Sequence, residues 1–110
     1  MFVVMNRIPV NKAFQEDFEA RFRERQGLVD QSPGFVRNLV LRPSDDSSEY
    51  HIVMTLWESR EAFEAWTRSE AFARAHEKAR ETPKAMFNGR NVLEMFEVVS
   101  DSAQATQEDA

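Results

Sequence analysis

The sequence predicts a small α+β domain whose elements run β-α-β-β-α-β. Three observations carry that expectation: four short segments alternate apolar and other residues, aromatic residues recur at helical spacing in the two stretches between outer and inner segments, and only a polar loop separates the inner pair. A chain of 110 residues has room for one compact domain.

Residues 2–10, FVVMNRIPV, form the first strand, with Phe2, Val4, Asn6, Ile8 and Val10 on one face and Val3, Met5, Arg7 and Pro9 on the other. Asn11 is placed to cap a helix in which Phe14, Phe18 and Phe22 recur one turn apart between charges; the pattern carries it to about Asp30, before the turn Gln31-Ser32-Pro33-Gly34. Residues 35–42 and 49–57 read as the second and third strands, joined by the polar hairpin loop 43–48. Ser59 caps a helical segment over 60–67 and Ser69 a further one over 70–80, so this helix is expected to be broken. Residues 81–90, with Pro83, Asn88 and Gly89, form a loop, and 91–99 the fourth strand. Residues 100–110 hold no apolar side chain larger than alanine, three acids and no base, which predicts a mobile acidic tail beyond a domain at 1–99.

This is the split βαβ order of ferredoxin-like domains: a four-stranded antiparallel sheet with both helices on one face. The inner strands are apolar on both faces, Leu39 and Leu41 opposing Val36 and Val40, and Ile52 and Met54 opposing Val53 and Trp57. The face without helices then has to be covered, which predicts a homodimer packed sheet to sheet as a dimeric α/β-barrel.

Composition excludes several classes of function. Acids outnumber bases 19 to 14, a net charge of −5, which argues against binding nucleic acid through its phosphates. The chain has no cysteine, so disulfides, thiolate metal sites, iron–sulfur clusters and a nucleophilic thiol are all removed. Two imidazoles remain, His51 and His76, too few for a multi-histidine metal site in one chain. No apolar run approaches the roughly 18 residues of a membrane helix and no charged-then-apolar leader opens the chain, so a cytoplasmic protein without a membrane partner is expected. There is no P-loop, Gly-rich dinucleotide turn or Gly-x-Ser-x-Gly elbow, and no bound flavin or nicotinamide is expected.

A few residues stand out as carriers of chemistry. Asn6 shares the face of Phe2, Val4, Ile8 and Val10, and a buried amide must find partners, either in a neighbouring loop or in a ligand. His76 follows Phe72 by one helical turn, with Ala71, Ala73 and Ala75 leaving space beside the imidazole. A single helical histidine is usually a surface or core residue, but haem is the cofactor that needs only one protein imidazole. Trp66 follows Phe63 and reads as core; in a straight helix it would lie roughly 15 Å and about 80° in azimuth from His76. A break near Ser69 allows both to line one pocket. Arg21 and Arg25, one turn apart, are placed either at the surface or against a ligand carboxylate, and the charge runs 16–25 and 70–81 read as solvated helix faces. Nine Phe and two Trp supply a core, or a pocket for a large flat ligand.

The chain resembles the IsdG-type haem-degrading monooxygenases, within the wider antibiotic-biosynthesis monooxygenase group. The resemblance spans residues 2–99 and rests on NRIPV, SPGF, LWESREAFEAW, SEAFARAH and LEMFEVV. The W-x-S-x-x-A-F pattern belongs to the whole group; the combination of Asn6, Trp66 and His76 is the specific part. The resemblance implies that His76 is the proximal ligand of haem iron, that Asn6 is the distal amide that hydrogen-bonds dioxygen and steers attack to a meso carbon, and that Trp66 presses the haem plane out of flatness. Haem is then both substrate and cofactor. The family's reaction uses dioxygen and electrons from an external reductase or small reductant, opens the ring and releases iron. Arg21 and Arg25 become the candidates for haem propionates, and loop 81–90, with Met86 and Phe87, falls where family members vary, beside the expected pocket and without an assigned role.

Two rival readings differ in chemistry. A cofactor-independent monooxygenase would use His76 or His51 as general base and Asn6 to position a small aromatic or quinol substrate. A non-enzymatic haem carrier would need His76 but neither Asn6 nor Trp66.

Overall fold

The computed structural model describes residues 1–24 and 27–103. Four strands, β1 (Phe2–Ile8), β2 (Phe35–Leu41), β3 (His51–Trp57) and β4 (Val92–Glu97), form one antiparallel sheet in the order β2-β3-β1-β4. Three helices, α1 (Gln15–Arg23), α2 (Arg60–Thr67) and α3 (Glu70–Ala79), connect them, giving the ferredoxin-like arrangement the pattern predicts. No described helix is long and apolar enough to cross a membrane.

Alternation decides which side chains meet the helices. β1 pairs Phe2 with Trp57, Val4 with Thr55, Asn6 with Val53 and Ile8 with His51, so these residues share the helix side of the sheet. They build two separate buried clusters. Phe2, Val4, Trp57 and Trp66 pack at one end, and Ile8, Val10, Phe18 and Met86 at the other. Asn6 stands between them in the same row. The opposite face holds Val3, Met5, Leu39, Ile52, Met54 and Leu56, none of which enters either cluster.

The elements depart from the sequence pattern for local reasons. The first helix ends at Arg23 and not near Asp30, with Glu24 as its C-cap; farther on, Gly27 takes a left-handed φ of +70° and Val29–Gln31 forms a separate 3₁₀ turn. A 3₁₀ turn, Lys12–Phe14, capped by the Asn11 side chain, precedes α1. β1 stops at Ile8 because Pro9 offers no N–H to the ladder, and Val10 makes only an isolated bridge to Phe87. β3 begins at His51, the Tyr50 N–H being taken by the Ser48 hydroxyl. A register shift between Phe35 and Arg37 leaves Val36 without a cross-strand partner and exposed, with Phe35 edge-on to Trp57.

The expected break between α2 and α3 is present. Ser59 caps α2 through its bond to the Ala62 N–H. Ser69 donates to the Trp66 carbonyl at 2.6 Å and accepts from the Phe72 N–H at 3.1 Å, closing one helix and opening the next. The expected tail falls largely on residues 104–110, which lie outside the described residues.

Candidate active site

A cavity of about 820 Å³ opens over Asn6, between α1 on one side and the α2–α3 pair on the other. It exists because the two core clusters pack the sheet on either side of the Asn6 position and leave the middle of the layer unfilled. Its volume lies in the upper part of the ~300–1,000 Å³ span common for small-molecule and cofactor sites. Ile8, Phe18, Phe22, Leu28 and Trp66 give it apolar sides. Asn6, Asn38 and Asn91 bring amides from three different strands or strand ends, and Arg21 and Arg90 bring guanidinium groups. Asp17 and Glu24 add carboxylates to the same lining, Asp17 beside Arg21, so a flat apolar body with carboxylates of its own has Arg90 as its cation.

The expected site residues are distributed unevenly. Asn6 faces the cavity, and its Oδ1 accepts a 2.8 Å hydrogen bond from the Asn91 Nδ2. Trp66 forms part of the wall and is held edge-to-face by Phe72 at 5.6 Å. Arg21 is in the wall, 4.0 Å from Asp17 one turn earlier. Arg25 lies outside the described residues.

His76 is not brought into the wall. Its ring is exposed on α3 and lies against Phe72, centroids 3.9 Å apart. Nδ1 is 3.1 Å from the Phe72 carbonyl oxygen, which can only accept, so Nδ1–H donates and Nε2 carries the free lone pair. The α3 side chains that do line the cavity are Ala75 and Ala79. His76 follows Ala75 by one residue, hence by roughly 100° around the helix.

His51 is removed from the chemistry of this cavity. It is 3% exposed, donates through Nε2 to Glu19 at 2.8 Å and stands edge-on to Phe18, so a general-base role there is corrected by its burial and its partner. Glu19 also accepts from both Nε and Nη2 of Arg42. The Arg42 hydrogen bond, and then that of His51, outweigh burial and lower the Glu19 carboxyl to about 2.

Loop 81–90 borders the cavity through Thr82, Phe87, Gly89 and Arg90, whereas Met86 is core. Sequence reading missed Asn38, Arg90 and Asn91. The signal for Asn91 is its place two residues before Leu93, the partner of Asn6 across the β1–β4 ladder, and that needs the strand register.

Comparisons with known proteins agree in one direction. The antibiotic biosynthesis monooxygenase family model matches residues 1–78. A heme oxygenase (mycobilin-producing) of Mycobacterium tuberculosis is 42% identical over 99 residues, covering 90% of both chains. A heme oxygenase (staphylobilin-producing) of Staphylococcus haemolyticus is 41% identical over 83 residues, 74% of this chain and 79% of that protein. The solved structure of the heme-degrader MhuD from Mycobacterium tuberculosis, with two hemes in its active site, superposes with a TM-score of 0.75 at 39% identity, covering 92% of this chain and 98% of that one.

Proposed function

Since the chain belongs to the antibiotic biosynthesis monooxygenase family and to its IsdG-type haem-degrading branch, we propose that it binds haem over Asn6 and degrades it oxidatively. The observation that carries this reading is the joint presence of Asn6 and Trp66 in the lining of one large cavity, together with the guanidinium groups of Arg21 and Arg90. Bound haem supplies the iron centre for dioxygen chemistry and is itself the ring to be opened, with iron released and electrons coming from an external donor.

The protein's own contribution is binding, orientation and shape. The apolar sides bury the macrocycle, and Trp66, locked by Phe72, sets the shape of the space it enters. Asn6 presents an amide to the cavity as the distal hydrogen-bonding group. Arg90 has no ion-pair partner among the described residues, and with Arg21 it is suited to propionates. His76 is the imidazole this reading assigns to iron, through Nε2, the nitrogen that the Phe72 carbonyl leaves free. His76 adjoins the cavity-lining Ala75 on α3.

The same reading assigns the catalytic domain to residues 1–99 and 100–110 to a separate tail. It assigns the bare sheet face, with Met5, Leu39, Ile52 and Met54, to a homodimer interface. The cytoplasm, where reducing equivalents are made, is its expected compartment.

Titration of purified protein with haemin, followed by an electron donor in air, tests the function. Loss of the Soret band together with released ferrous iron is the expected result; a persistent band would indicate carriage, and no band would overturn haem binding. His76→Ala should abolish ligation, while Asn6→Ala should retain binding and suppress turnover. Equal loss of binding in both would contradict the assigned roles.

A further inference from the structure

The Asn6 amide has two unlike ends of nearly equal size, and only their orientation decides whether the cavity meets a donor or an acceptor. That orientation is set from the other end of the chain. In the β1–β4 ladder Asn6 pairs with Leu93 and Arg7 with Val92, which places Asn91 on the face of Asn6 and diagonal to it. The Asn91 Nδ2 donates to the Asn6 Oδ1 at 2.8 Å, and both residues line the cavity. No described residue accepts from the Asn6 Nδ2, so the amino end is the one left for a ligand.

The backbone beneath Asn91 is fixed on both sides. Before it, Val10 bridges Phe87 and the Asn88 N–H bonds to the Pro9 carbonyl at 2.7 Å. After it, Val92 enters the ladder. Asn91 therefore lies in a short span between two anchored points of the backbone, with its Nδ2 bonded to one atom of Asn6.

We propose that Asn91 is a positioning residue that sets the polarity of the active site: by holding the Asn6 Oδ1 it presents the Nδ2 amino group to the cavity as a fixed hydrogen-bond donor. This rests on the reading of Asn6 as the distal amide of a haem site. A donor oriented before the reaction stabilises charge that grows on a ligand atom without reorganising first, whereas a freely rotating amide offers a lone pair as readily as a proton.

Two substitutions separate anchoring from mere packing. Asn91→Ala removes the anchor and leaves the Asn6 amide free to rotate. Asn91→Asp replaces a donor by a carboxylate, which accepts from the Asn6 Nδ2 and turns Oδ1 into the cavity.

The haem-free protein gives the first readout. In ¹⁵N-labelled samples, the Asn6 side-chain amide signals, identified by their loss in Asn6→Ala, should move downfield and exchange more slowly in Asn91→Asp than in the parent. The ferrous haem complex with carbon monoxide, a neutral probe, gives the second. A facing donor lowers the C–O stretch and a facing lone pair raises it. The stretch should therefore rise from the parent through Asn91→Ala to Asn91→Asp, and turnover should fall about tenfold in Asn91→Ala. In an Asn6→Ala background, Asn91→Asp should no longer shift the stretch.

Unmoved Asn6 amide signals in Asn91→Asp, or a shift of the stretch that survives without Asn6, would overturn the proposal. A parent protein that binds no haemin would overturn the haem reading instead, while the haem-free amide spectrum would still decide the role of Asn91.

Discussion

The His51 Nε2 donates a 2.8 Å hydrogen bond to the Glu19 Oε2, so that an imidazole on the first residue of β3 holds a carboxylate in the middle of α1. Both are buried, at 3% and 9% exposure, and Arg42, just past the end of β2, closes the group from the rim. Three elements are thereby tied at one end of the layer. Since Phe18 and Phe22 of the cavity wall flank Glu19 on α1, this cluster fixes one side of the site without entering it.

That arrangement makes stability depend on acid. The Glu19 carboxyl is lowered from 4.5 to about 2, so the folded state holds its proton less tightly than the unfolded chain. The contribution, about 3 kcal/mol at most, is fully present above pH 4.5 and is lost as the pH falls toward 2. Urea denaturation across that range should show the loss, and Glu19→Gln should lower stability at pH 7 and flatten the acid slope. An equally steep slope in the variant would remove Glu19 as its source.

Gly34 should not tolerate a side chain. It has φ of +82°, and a Cβ there would lie 2.5 Å from the Ala62 Cβ on α2, a short and rigid side chain, so that the backbone has to shift. Gly34→Ala is expected to cost about 3 kcal/mol, combining left-handed strain with overpacking. Thermal denaturation measures it; an unchanged midpoint would mean that the turn relaxes freely.

Arg90 should matter for charge and not for shape. Arg90→Ala is expected to weaken haemin binding about tenfold while leaving the affinity for haemin dimethyl ester, which lacks the carboxylates, unchanged. Equal weakening of both would assign Arg90 a packing role.

The bare sheet face gives a prediction about assembly. Met54 stands on β3 among Met5, Leu39, Ile52 and Leu56, on the side where no helix packs. Sedimentation should show twice the 12.8 kDa chain mass for the parent protein and a monomer for Met54→Glu. A monomeric parent would refute sheet-to-sheet pairing.

Much of this molecule is written locally. Alternation in FVVMNRIPV placed Asn6 alone among apolar residues on one face, and the serines at 59 and 69 marked a broken helix, because strand period, helix period and caps act over a few residues. The helix end was less legible. In the sequence helical spacing continued past Arg23, whereas the folded chain leaves the helix there and carries a left-handed Gly27 and a separate 3₁₀ turn at Val29–Gln31.

The sequence alone therefore determined the order of the elements, the row in which Asn6 stands and the helices that carry Trp66 and His76. Tertiary structure decided the rest. It set Ala75 and Ala79 in the wall in place of His76, withdrew His51 into a bond with Glu19, and brought Asn91 to Asn6 from 85 residues away. The physical reason is that periodicity fixes which face a side chain takes, whereas its partner depends on strand register and on the rotation of each helix over the sheet. Those are settled only when the whole layer packs at once.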